Sequence, residues 1–184
     1  MTRPRNAIQT RSDILSAARE RFGAEGYERT TLRAVAADVG VDAALVIRYF
    51  GSKQELFAAA AEFTIDLPDL SGVDPGDVAE ILLPRFFAVW EEDATFVALL
   101  RAATTSRIAA DTLREVFAQQ VAPKLVTAVP DHPLERIGLM GAFVIGLATT
   151  RYVLANPPMV SLSREELSRW AAPVITRLLV GPTP

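Results

Sequence analysis

A glycine between two short runs of helical pattern constrains this chain more than any other feature. In TLRAVAADVGVDAALVIRYFGSK, residues 31–53, apolar residues recur at helical spacing on both sides of Gly40, with three to four residues of turn between the runs. Thr31 and Asp42 stand where each run needs an N-cap. Gly40 can take the left-handed backbone that a tight turn requires. Ala36 is small, so the second helix can cross closely over the first, while Val35, Val39, Val41 and Val46 supply a small shared core. The outward positions of the second helix are then Asp42, Ala43, Ala44, Ile47 and Arg48. A helix presented this way can enter the major groove of DNA with its N-terminal half against base edges. The same spacing suits an αα-hairpin in an ordinary helical bundle, and spacing alone leaves both readings open.

The rest of the chain also reads as helix. No apolar/polar alternation runs long enough to argue for a sheet, so the expected class is all-α with about nine helices. The first is expected over 11–25, capped by Thr10, with Ile14, Leu15, Ala18 and Phe22 on one face and Gly26 at C′, from where Tyr27 packs back on Phe22. Further helices are expected over 32–39, 43–49 and from Ser52, whose Ser52-Lys53-Gln54-Glu55 is a capping box. Residues 66–77 (DLPDLSGVDPGD) break the pattern and mark an internal boundary. It divides an N-terminal domain over 8–68 (helix-turn-helix about 31–50) from a C-terminal domain over 75–182. Beyond it, helices are expected over 75–91, 94–108, 111–128, 133–155 and 164–180. Asp74-Pro75 and Pro133 serve as starts, and Ser163-Arg164-Glu165-Glu166 is a second capping box. Pro84, Pro123 and Pro173 would kink or break the helices that contain them.

The composition excludes several chemistries. With no cysteine there is no disulfide framework, thiolate metal site or cysteine nucleophile, and His132 alone cannot build a histidine zinc site or a Ser-His-Asp triad within one chain. No cofactor or metal is expected. The uncharged stretch 137–150 is too short to span a bilayer of about 30 Å, and residues 1–13 lack the apolar core of a secretory signal. A cytoplasmic location without membrane association is the expectation. The formal charge is −3, but residues 1–60 hold nine Arg or Lys against seven Asp or Glu, and residues 61–184 ten against fifteen. The front of the chain is suited to meet an anion; the back is not.

One ordered series of residues narrows the reading. Phe22…Gly26-Tyr27, Thr30-Thr31-Leu32, Ala36…Gly40-Val41 and Tyr49-Phe50-Gly51-Ser52-Lys53-Gln54-Glu55-Leu56 together resemble the TetR (tetracycline-repressor) family of transcriptional regulators over roughly the first third of the chain. The resemblance implies an all-helical homodimer that binds a pseudo-palindromic operator in double-stranded DNA and a small-molecule inducer in its C-terminal part. It assigns phosphate contacts to Thr31 and Lys53, with Arg33 beside the former, and places Tyr49 near the end of the recognition helix, where its hydroxyl can bond a phosphate or its ring can pack, with Phe50 as a buried anchor. The family usually has tyrosine where this chain has Ile47 and commonly serine or threonine where it has Asp42. Isoleucine cannot hydrogen-bond a phosphate but can touch a thymine methyl, and Asp42 serves either as a plain cap or as an acceptor from cytosine. Arg48 is left as the polar base reader, and an N-terminal arm with Arg3 and Arg5 can reach the minor groove or nearby phosphates.

In the C-terminal part the expected pocket lining is Phe86, Trp90, Phe96, Leu100, Thr104, Arg107, Phe117, Met140, Phe143 and Arg151. The expected dimer interface comprises Leu139, Gly146 and Leu147 of the eighth helix with Leu167, Trp170, Ala171, Val174 and Leu178 of the ninth. Two other readings stand beside regulation. One is a protein-interaction module whose helix-turn-helix no longer binds DNA, which Ile47 and Asp42 make thinkable. The other is an enzyme built around Glu91-Glu92-Asp93, three carboxylates that also read as a solvated helix end.

Overall fold

A computed structural model describes residues 7–62, 64–92 and 94–183. Among these residues there is no strand, and no helix is long and apolar enough to cross a membrane. The chain forms two compact units, Met1–Phe63 with Ala94–Leu113 and Thr64–Asp93 with Arg114–Pro184.

The first unit contains α1 (Ala7–Arg29), α2 (Leu32–Val39), α3 (Ala43–Phe50), α4 (Lys53–Ala60), α6 (Ala94–Ala103) and the first part of α7 (Arg107–Val116). Helix α1 starts at Ala7 rather than at 11, so Thr10 is a buried residue of the helix and not its cap. Helical geometry stops at Gly26, where φ is +80°, a value that costs glycine nothing. Thr30 closes that corner: its backbone N–H and its hydroxyl both donate to the Gly26 carbonyl. Tyr27 then folds back on Phe22, ring centroids 6.0 Å apart, and Phe57 of α4 sets its edge against both rings.

Helix α2 ends as the sequence predicts. Gly40 is left-handed (φ 70°, ψ 39°), its N–H donates to the Ala37 carbonyl, and the Val41 N–H donates to the Ala36 carbonyl. Helix α4 carries only half of its expected capping box. The Ser52 hydroxyl accepts from the Glu55 N–H at 3.1 Å, but the Ser52 N–H donates to the Phe50 carbonyl, which leaves nothing for Glu55 to receive. Ile14, Ala18, Phe22, Val35, Val46, Phe50, Leu56 and Phe57 form one buried cluster, joined by Leu99 and Ala102 of α6 and Ala109 of α7. This is why residues 94–113 group with the first unit, although the sequence boundary near 75 places them in the second domain. Arg101 of α6 also donates to the Gly23 carbonyl at 3.2 Å.

The second unit begins with the irregular stretch 64–77, which is pinned by buried Ile65, Leu67 and Leu70. The Ile65 N–H donates to Gln120 Oε1 at 2.8 Å, and Arg85 pairs with Asp66 at 3.0 Å. Helix α5 (Val78–Glu92) starts three residues later than expected, because Asp74 to Asp77 close a separate turn in which the Asp74 carboxylate accepts from Gly76. Pro84 and Pro173 lie inside continuous helices, on exposed positions where a carbonyl left unpaired can take water.

Pro123 does not end its helix either, but the turn before it changes type. α7 ends at Val116, a π-helical turn covers Phe117–Val121, and α8 (Ala122–Leu125) and a 3-10 turn (Val126–Ala128) follow. α9 (Pro133–Ala148) likewise passes into a π-helical turn at Thr149–Val153, and the short α10 (Pro157–Val160) appears where the sequence predicts no helix. α11 (Arg164–Val180) carries its capping box in full, with Glu166 Oε2 receiving the Ser163 N–H at 2.8 Å. It packs on α5 and α9 through Leu167, Ala171, Ile175 and Leu179. Buried Arg136 of α9 closes its far end by donating to the carbonyls of Leu178 and Gly181 while pairing with Asp131.

Candidate nucleic-acid interface

Helix α3 buries Val46 and Phe50 against the first unit and turns its other side to solvent. Asp42, Ala44, Ile47 and Arg48 are exposed there, with Ala43 half-buried beside them. The Asp42 carboxylate accepts the Ala44 N–H at 2.7 Å, so its cap function is in place. The Arg48 guanidinium lies 5.6 Å from the ring centroid of half-buried Tyr49, and its hydrogen-bonding edge remains available for a base or phosphate. Thr31 caps α2 by accepting the Ala34 N–H at 3.1 Å. Its hydroxyl proton remains as a donor. Arg33 stands exposed next to it.

Lys53 is more constrained than its expected role suggests. Its ammonium donates to the Glu28 carbonyl at 3.1 Å and sits 4.4 Å over the Tyr27 ring. It therefore ties the start of α4 to the Gly26 corner, while an ammonium with three protons keeps donors for a phosphate. Arg3 and Arg5 lie outside the described residues. Arg11 is a cation that sequence reading did not assign. It lies on α1 with its guanidinium 4.9 Å over the Phe50 ring, bringing positive charge to the end of α3. No local pattern connects residues 11 and 50, so only the packing reveals it.

An ion pair at the surface adds to the apolar packing of α1 on α2. Arg21 grips the Asp38 carboxylate with two donors and reaches Glu25 at 2.7 Å. The Arg21 hydrogen bond holds the Asp38 carboxyl below the usual carboxylate range and raises the guanidinium in turn.

The expected pocket residues fall in both units. Phe96, Leu100, Thr104 and Arg107 belong to the first unit; Phe86, Trp90, Phe117, Met140, Phe143 and Arg151 belong to the second. Arg107 has a side chain 92% exposed and pairs with Asp111, while exposed Thr104 donates its hydroxyl to the Arg101 carbonyl one turn back. Neither is a buried orienting group, because each lies at the interruption between α6 and α7, where helix ends need capping. In the second unit, Phe86 and Trp90 stack at 6.0 Å and Tyr152 tilts against Trp90 at 5.8 Å. The Tyr152 hydroxyl donates to Glu91, which also receives Arg164. Burial and that carboxylate push the Tyr152 phenol up. Arg151 has found carbonyls rather than an acid: it donates to Met159 and Leu162 and so holds the segment around α10.

Of the expected interface residues, Leu167 and Ala171 are buried inside the unit, which removes them as contacts with a partner. The stripe on α11 is wide enough that its central line faces α5 and α9 and only its flank is outward. That flank, with α9, exposes Trp170 (74%), Leu139 (59%) and Val174 (40%), along with Leu134 (75%), which sequence reading missed. Gly146 is also exposed, and Leu147 and Leu178 are half-buried.

An all-α chain that presents a short helix across a glycine turn, with cations around its open side, defines the class of helix-turn-helix DNA-binding regulators. Residues 14–60 match the family described as bacterial regulatory proteins, tetR family, and residues 77–179, more than half of the chain, match the tetracyclin repressor-like C-terminal domain. The chain belongs to the TetR family of transcriptional regulators. It is 38% identical over 58 residues to the HTH-type transcriptional dual regulator CecR of Shigella flexneri; that stretch is 32% of this chain and spans about a quarter (26%) of that protein. Among solved structures it resembles a TetR-family regulator from Streptomyces coelicolor A3, with TM-score 0.60, 23% identity and coverage of 97% of this chain and 99% of that one. It also resembles SmeT in its complex with triclosan, with TM-score 0.70, 20% identity and coverage of 95% and 98%. At these identities the likeness is one of fold.

Proposed function

We propose that this chain acts in the cytoplasm as a homodimeric repressor that binds a pseudo-palindromic operator and is released from it by a small, largely apolar inducer. The observation that carries the reading is α3, held from behind by Val46 and Phe50 while Ala44, Ile47 and Arg48 stand open. Thr31, Arg33 and Lys53 take phosphates and fix the register; Arg48 engages guanine through its two-pronged edge.

The second unit supports pairing and sensing. Leu134, Leu139, Trp170 and Val174 expose apolar surface on α9 and α11, which pack on one another, and a two-fold axis through that face would bury it in a four-helix bundle. The two copies of α3 would then meet half-sites about 34–36 Å apart. The aromatic group Phe86, Trp90 and Tyr152 offers an apolar guest ring contacts. A relative of similar fold, SmeT, forms a complex with triclosan. Linkage requires that operator DNA weaken inducer binding by the same factor by which inducer weakens DNA binding.

Selection of random duplexes on the full chain, followed by fluorescence anisotropy at two salt concentrations, tests the DNA reading. Enriched pseudo-palindromes bound far more tightly than scrambled duplexes, with affinity falling steeply as salt rises, are expected. Equal affinity for both pools would contradict it and favour the protein-interaction reading.

A further inference from the structure

The open side of α3 is apolar where readout by hydrogen bonds needs polar groups. Ala43, Ala44 and Ile47 share one face by helical spacing, and Ile47 leaves 50% of its surface uncovered. The one acid at the head of the helix, Asp42, has a carboxylate oxygen committed to the Ala44 N–H. Within α3 itself only Arg48 is a fully exposed polar side chain, since Tyr49 is half-buried. Pressing an isoleucine on the donors and acceptors of base edges would strand them without partners. The major groove offers one apolar group, the C5-methyl of thymine. Arg48 stands on α3 itself, Arg11 lies over Phe50 at its end, and Arg33 and Lys53 belong to the first turns of the neighbouring helices α2 and α4, cations that suit a polyanion and not an apolar protein surface.

We propose that α3 reads its operator partly by methyl contact: Ile47, flanked by Ala44, packs on a thymine C5-methyl next to the guanine that Arg48 engages, so each half-site must present that methyl. This rests on the DNA-binding reading above and names the chemistry recognised at the same site.

The test uses the full chain and the duplex enriched from a random library. That duplex is remade with deoxyuridine for thymidine, which removes every C5-methyl and keeps every hydrogen-bonding edge. One lost methyl contact is expected to weaken binding about fourfold, and one per half-site about 15-fold for a dimer. Ile47→Ala, at an exposed position that leaves Val46 and Phe50 in the core, is expected to lose most of that sensitivity. An equal uracil penalty in wild type and Ile47→Ala would assign the effect to DNA shape and overturn the proposal, as would no penalty in wild type. In both cases a retained preference for the enriched over the scrambled duplex leaves the DNA-binding reading standing. Loss of that preference in wild type with natural thymine would overturn both.

Discussion

Gly141 sits in α9 with the Phe117 ring resting where a side chain would begin. A Cβ at that position would stand 2.8 Å from Phe117 Cε2 and 2.9 Å from Cζ. Carbon atoms in good contact are about 3.5–4.0 Å apart, so the ring must retreat by roughly 1 Å to admit a methyl group. Two effects oppose each other. Alanine is worth about 1 kcal/mol over glycine inside a helix, while overpacking a closed site costs about 1–3 kcal/mol. Phe117 is half-buried and opens a π-helical turn, so its ring yields in part. The expected outcome for Gly141→Ala is a net loss of about 1 kcal/mol, a fall in Tm of about 2–4 °C for a chain of this length. Phe117→Leu removes the clashing atoms. In that background Gly141→Ala should stabilise by about 1 kcal/mol, giving a coupling of about 2 kcal/mol in the double-mutant cycle. Thermal and urea unfolding followed by circular dichroism measure both. A rise in Tm on Gly141→Ala in the wild-type background, or additive effects of the two substitutions, would refute the reasoning.

Trp170 is exposed in the single chain, so Trp170→Ser should leave the helical fold intact yet raise the dissociation constant of the proposed dimer at least about 30-fold, read by sedimentation equilibrium. Arg136→Met should destabilise by about 2–4 kcal/mol in urea unfolding, because the carbonyls of Leu178 and Gly181 lose a buried charged donor. The Asp38 carboxyl is held low by Arg21, so the stability it contributes is present above the ordinary carboxylate pKa of about 4 and is lost as pH falls through the folded value. Unfolding midpoints measured against pH should therefore drop more steeply in acid for wild type than for Asp38→Asn.

Signals confined to a few neighbouring residues were legible in the sequence. Thr31, Gly40, Asp42 and the Ser163–Glu166 box act within one turn of helix, and each stands where its residue type requires. The start of α1 was missed because Ala7 to Gln9 carry no stop signal, and a plausible cap at Thr10 turned out to be a buried side chain. Features set by distant partners were not legible. Nothing near residues 94–113 announces that Leu99 and Ala102 pack with Ile14 and Phe22. The apolar stripe of α11 is visible in the sequence, but which of its edges faces inward depends on α5 and α9, so the sequence does not show that Leu167 and Ala171 are buried within the unit. Arg151 reads as a pocket residue, but it is held by the Met159 and Leu162 carbonyls of a short segment with no helical pattern. At the nucleic-acid face the outward residues of α3 were readable from spacing, whereas the restraint of Lys53 by Glu28 and Tyr27 required the Gly26 corner to bring them together.

The central claim is that α3 carries sequence-specific contact with DNA. The most direct test is the ratio of affinities for an enriched and a scrambled duplex, measured at one salt concentration for wild type and for Arg48→Ala. Arg48 is exposed, so its removal leaves the fold of the unit unchanged. The account predicts a ratio of about 10³ or more for wild type and, with one contact of about 1–3 kcal/mol lost per half-site, a fall of about 30-fold or more in that ratio for the variant, with affinity for scrambled DNA nearly kept. A variant that loses affinity for both duplexes equally, or keeps the wild-type ratio, would contradict it.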